Sequence, residues 1–185
     1  MTDTTPDRLP DWPNVPACHG WLSLDARGCW RLKGERVEHG GLFAFLNANY
    51  AHDEAGNWLV HNGPQRVFVE LEAAPWILRL LPGDVLQTHS ARPATAVGPV
   101  LVDENGRVSL QTDLGPAAID DRDLALFLAE VKDAHGDGVD EATLFALLEG
   151  QSTTPLEWRS LPLQFARSSE IPGQLGFQRK PVAMT

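Results

Sequence analysis

Six histidines, at 19, 39, 52, 61, 89 and 135, are the residues best suited to metal or acid–base chemistry. His52-Asp53-Glu54, with His61 a short way on, could offer nitrogen and oxygen ligands across a hairpin. A hydrolase or other metal-dependent enzyme built on His52, Asp53 and His61 is therefore an alternative reading. The backbone needs of an Asp-x-x-Gly turn explain Asp53 without any metal. Asp133 to Asp140 reads Asp-Ala-His-Gly-Asp-Gly-Val-Asp and resembles the start of a calcium loop. Its twelfth position is Leu144, where such a loop needs a bidentate acid, so a turn capped by Asp140 is the better reading. No nucleophile elbow, zincin motif, phosphate loop or dinucleotide fingerprint occurs. The sequence predicts no catalytic residue, no metal and no cofactor.

Recognition chemistry is more visible. In 65–72 alternation sends Val67, Val69 and Leu71 to one face and Arg66, Phe68, Glu70 and Glu72 to the other. Arg79, expected on the adjacent strand, adds a second cation. Arg66, Phe68, Glu70 and Arg79 form the candidate ligand-binding set: an aromatic between cations and an acid. The competing reading buries this face, with an arginine paired to Glu70 or Glu72.

The elements that would position these residues are short. Residues 1–16 hold Pro6, Pro10, Pro13 and Pro16 and read as an N-terminal arm, with Trp12 as a pin. Trp21 to Leu24 and Trp30 to Leu32 flank the turn Asp25-Ala-Arg-Gly28. A helix is predicted over about residues 41–50, apolar over so broad an arc that it should be sandwiched. After the turn Asp53-Glu-Ala-Gly56, strands at Trp58 to His61, Gln65 to Glu72 and Trp76 to Leu81 are joined by short loops, which predicts an antiparallel meander. A turn-rich stretch, 82–93, marks a boundary. Beyond it come a hairpin at 99–113, a helix from Asp120 or Asp121 with Leu124, Phe127, Leu128 and Val131 on one face, and a helix after Asp140 burying Leu144, Phe145 and Leu148. The last segment adds a strand or two and a tail. Trp21, Trp30, Trp58, Trp76 and Trp158 all lie in strand-like segments and are expected mostly in the core.

The expected fold is α+β: an arm at 1–16, a first subdomain at 17–93 and a second at 94–185, each made of antiparallel hairpins with a helix. Residues 24–32 and 102–110 share Asp, Gly and three apolar positions. A duplicated hairpin-plus-helix unit and two unrelated hairpins with a common turn both account for that echo.

The net charge is −10, which repels nucleic acid and anionic lipid over distance. Asp103 to Glu149 carries 12 acidic and 3 basic residues, either for solubility or as a dock for a basic partner. The chain starts polar and Pro-rich, and no run nears the about 18 apolar residues of a membrane span. A cytoplasmic protein with Cys18 and Cys29 reduced is expected.

The runs 25–37, 56–60 and 64–76, including Pro64-Gln-Arg-Val-Phe-Val-Glu-Leu-Glu-Ala-Ala-Pro-Trp76, resemble the bacterial domain of unknown function 1285 and a related uncharacterised proteobacterial family. The resemblance covers about residues 20–81 well and the second half loosely. It implies a two-part α+β structure with repeated motifs and a second part like pleckstrin-homology folds. It also implies ligand binding in signalling at the interface of the parts, and no catalytic residues. The function expected is a non-enzymatic binding or regulatory module taking a protein segment or small molecule in a cleft between the halves; a purely structural subunit of an oligomer is a third reading.

Overall fold

A computed structural model describes residues 13–181 of the chain. The expected arm at 1–16 lies mostly outside the described residues. Two units emerge from the packing: residues 13–25, 29–72 and 178–181 form one, and residues 26–28 and 73–177 the other. The division falls between Glu72 and Ala73, upstream of the turn-rich stretch 82–93.

The first unit runs β1 (Ala17–Leu24), β2 (Trp30–Leu32), β3 (Glu35–Arg36), α1 (Gly40–Ala48), β4 (Tyr50–His52), β5 (Trp58–Asn62) and β6 (Gln65–Leu71). Its sheet has the order β3-β2-β1-β6-β5-β4. The centre is a parallel pair, β1 with β6, in the register Cys18 to Val67 and Leu24 to Leu71; the other pairs are antiparallel. Leu22, Leu24, Val60, Val67 and Val69 are at most 1 % exposed and make the core face. On α1, Leu46 is fully buried but Phe43 is 36 % exposed, so the helix lies on a surface and is not sandwiched as expected. His39 Nδ1 caps its N-terminus by accepting from the Leu42 N–H, and Trp30 Nε1 donates to Asn47 Oδ1. Gln65 Nε2 donates to the carbonyls of Pro13 and Val15, both at 2.7 Å, tying the entering chain to β6.

The second unit continues with β7 (Trp76–Leu81), β8 (Val85–Thr88), β9 (Pro93–Ala94), β10 (Ala96–Val102), β11 (Val108–Thr112) and β12 (Gly115–Ile119). A 3-10 turn (Asp121–Asp123), α2 (Leu124–Glu130), β13 (Val131–Asp133), α3 (Glu141–Leu148), β14 (Leu156–Trp158), β15 (Leu161–Phe165) and α4 (Ile171–Leu175) follow. The sheet order is β13-β14-β15-β10-β11-β12-β7-β8-β9. The expected meander through Trp76–Leu81 is corrected here. β6 pairs with β5 and β1, whereas β7 pairs in parallel with β12 and antiparallel with β8. A short loop requires only that its ends be close. Residues 73–75 use that freedom to pass the chain from one sheet to the other, and β7 finds its partners late in sequence.

The two sheets share an order: β3-β2-β1-β6-β5-β4 matches β12-β11-β10-β15-β14-β13 position for position, with β10 and β15 again a parallel pair. A helix bridges the same step in each, α1 between β3 and β4 and α2 between β12 and β13. Asp-x-x-Gly turns recur at matching places. Asp25, Asp53, Asp103 and Asp133 each receive a hydrogen bond on Oδ1 from the backbone N–H four residues on, and each glycine is left-handed, with φ of 77°, 80°, 75° and 83°. The fourth turn, Asp133-Ala-His-Gly136, lies inside the segment that resembled a calcium loop. The second unit inserts α3 between this turn and β14; Asp140 caps the helix by accepting from the Thr143 N–H. No described helix is long and apolar enough to cross a membrane.

Candidate functional site

Arg66, Phe68 and Glu70 share one face of β6, as alternation predicts. Arg66 and Glu70 are exposed. Phe68 is only 6 % exposed, because its ring stacks on His19 at 4.3 Å and 8° while the Arg66 guanidinium lies 5.6 Å from its centroid. It is the middle layer of a stack between His19 and Arg66. His61 stands opposite Arg66 on β5 and adds to this face.

Arg79 is not on a strand paired with β6: it lies on β7, in the other sheet, and forks onto Asp123 through two hydrogen bonds of 2.6 and 3.0 Å. Asp123, 3 % exposed, also accepts from the Leu80 N–H at 2.9 Å. The hydrogen bonds from Arg79 hold the Asp123 carboxyl below the usual range, against the cost of burial. Next to it, burial alone would raise Asp120, but hydrogen bonds from Arg122 outweigh it and lower the pKa. Both pairs brace the strand-to-helix passage.

Both Asp53 oxygens are engaged by the Ala55 and Asn57 N–H groups and by Asn57 Nδ2. His52 contacts its neighbour's carbonyl, and its ring lies 5.1 Å from that of Trp58. Among the described residues no three His, Cys, Asp or Glu are placed to hold a metal ion.

A different site stands out in the second unit. α2 and α3 flank a half-open apolar pocket of about 310 Å³, at the low end of ligand-pocket sizes. Phe127, Leu144 and Leu147 wall it, Val102, Val108 and Leu163 come from the sheet, and Asn105 and Glu141 are its polar side chains. The helix after Asp140 was expected to bury Leu144, Phe145 and Leu148. Instead Leu147 is its buried residue, and Phe145 is 57 % exposed. Leu126 and Leu128 of α2 are 54 % and 46 % exposed. The sequence reading buried Phe145 and set Leu128 on the apolar face of its helix, and it assigned no place to Leu126. The available signal was α2 itself, apolar for six residues running, since a solvated helix shows one polar face.

The family model named DUF2944, described as "Protein of unknown function (DUF2946)", matches residues 1–182. The chain belongs to this family. A search of curated proteins finds no match. A DUF1285 family protein from Silicibacter pomeroyi DSS-3 shares the fold, with a TM-score of 0.54 at 12 % identity, over 86 % of this chain and 87 % of that one. A second DUF1285 structure, from Shewanella baltica OS155, matches 58 % of this chain and 90 % of its own at a TM-score of 0.46 and 13 % identity. The likeness to DUF1285 read from the sequence is therefore also a likeness of structure.

Proposed function

We propose that this chain is a non-catalytic binding and regulatory module whose ligand enters the cavity between α2 and α3. The observation that carries the reading is the cavity of about 310 Å³, walled by apolar side chains with Asn105 and Glu141 as its polar groups. That is the pattern of a ligand pocket: broad apolar contact with a few groups that set orientation. Ligand-observed NMR with small apolar fragments tests it. Fragments should bind the parent protein, and Leu144→Trp should displace them by filling the space while the melting temperature holds. A broad hydrolase screen should show no turnover; turnover lost in His61→Ala would favour the enzyme instead.

Arg66 and Glu70, exposed on either side of Phe68, are a proposed second contact region in the first unit. Arg79 leaves the set because Asp123 engages its guanidinium. We also infer that the two units descend from one duplicated hairpin-plus-helix unit. The matched strand orders, the helix at the same step and the four Asp turns support this. On that reading α3, and with it the cavity, belongs to the second unit alone.

A further inference from the structure

We propose that the α2–α3 groove receives a basic amphipathic helix from a partner protein, an apolar stripe flanked by Lys or Arg. This rests on the binding-module reading above and names the class of occupant. Three observations converge on it. First, Leu128 and Phe145, which line the groove from two short helices, are apolar and each about half exposed. Contiguous apolar surface of this kind marks an interaction site. Second, the cavity lies beneath these side chains, so an apolar anchor from an incoming helix can descend between α2 and α3.

Third, the segment of chain that carries α3 bears charge of one sign, set against Arg107 of the Asp103 turn, which lies between the lining residues Gly106 and Val108. Between Lys132 and Arg159 the chain carries six carboxylates and no Lys or Arg. Glu141 opens α3 and Glu149 closes it, both exposed. At the rise of an α-helix these two lie roughly 12 Å apart, which suits basic residues about eight positions apart on a helix laid along α3. Asn105 and Glu141 supply the polar contacts at the cavity itself. A second copy is a poor occupant, since a two-fold pairing through this face would bring the acids of α3 against their equivalents. Anionic lipid and nucleic acid meet the same repulsion.

The test uses two synthetic helical peptides with Leu and Phe at i, i+3, i+4 and i+7. One has Lys at its remaining positions, its twin Glu. Binding to the full chain is read by fluorescence anisotropy at low and high salt. The Lys peptide should bind at least about tenfold more tightly than the twin and weaken as salt rises. The double variant Glu141→Lys/Glu149→Lys, altered only at exposed positions, should reverse the preference. Phe145→Ser should weaken both peptides while its urea midpoint stays at the parent value. Equal binding of the twins, or an unchanged preference in the double variant, overturns the proposal. So does a dimer in sedimentation, or binding to phosphatidylglycerol vesicles, that Phe145→Ser abolishes. Apolar fragments that bind the cavity while the peptides fail to discriminate would sink this inference and leave the binding-module reading standing. Failure of the fragments as well would remove both.

Discussion

Arg79 and Asp123 form a two-pronged clamp, Nε to Oδ2 at 2.6 Å and Nη2 to Oδ1 at 3.0 Å, that fastens β7 to the 3-10 turn before α2. Because Asp123 is buried and also satisfies the Leu80 N–H, removing it leaves a backbone donor without its partner and Arg79, 39 % exposed, to the solvent. Asp123→Ala should cost about 2 kcal/mol, seen as a lowered urea midpoint. An unchanged midpoint would show that the clamp contributes nothing net.

The same clamp sets an acid limit. Asp123 and Asp120 both have folded-state pKa values below those of an unfolded chain. Their contribution is therefore complete above the unfolded value, about 3.9, and is lost as pH falls through the lower folded values. Urea midpoints should hold down to about pH 4 as far as these groups are concerned, and fall below it. In Asp123→Asn the acid decline should be shallower, because one linked proton has been removed. Equal slopes in variant and parent would exclude Asp123 as a source of the pH dependence.

The β6 face should split under mutation. Arg66→Glu and Glu70→Lys alter exposed side chains and should shift stability by no more than about 0.5 kcal/mol. Phe68→Ala empties a buried layer between His19 and Arg66 and should cost about 3 kcal/mol. Thermal melts of the three variants check the split. Comparable losses in all three would mean the face is structural throughout.

Two left-handed glycines should also part company. Gly136 has φ 83° and open space where a Cβ would go, so Gly136→Ala should cost only the conformational strain, about 1 kcal/mol. Gly150 ends α3 at φ 67°, and a Cβ there would sit 2.9 Å from Phe165 Cδ1. Gly150→Ala should therefore cost more, about 2 kcal/mol or above, and should loosen α3 in hydrogen exchange.

The Asp-x-x-Gly turns were legible because their reasons are local. The carboxylate accepts from nearby backbone, the glycine accepts a left-handed φ, and no distant residue is needed. Alternation placed Arg66, Phe68 and Glu70 on one face for the same reason, and capping chemistry marked Asp140 as a helix start; of the two starts read for the earlier helix, Asp120 or Asp121, Asp120 caps the 3-10 turn and α2 begins later, at Leu124. By itself the sequence determined the hairpin turns, the α+β composition, the acidic balance around α3 and the resemblance to DUF1285. Tertiary structure decided which strands became neighbours, since hydrogen-bonded pairing between β1 and β6 or β7 and β12 joins segments whose separation leaves no periodic trace. It decided that Arg79, on a strand of the other sheet, pairs with Asp123, because the chain changes sheets at residues 73–75. It also decided that Phe145 and Leu128 stand at a groove instead of in the core. An apolar residue reads the same in sequence whether its cover is this chain or another, and only packing shows how little of this chain covers these two.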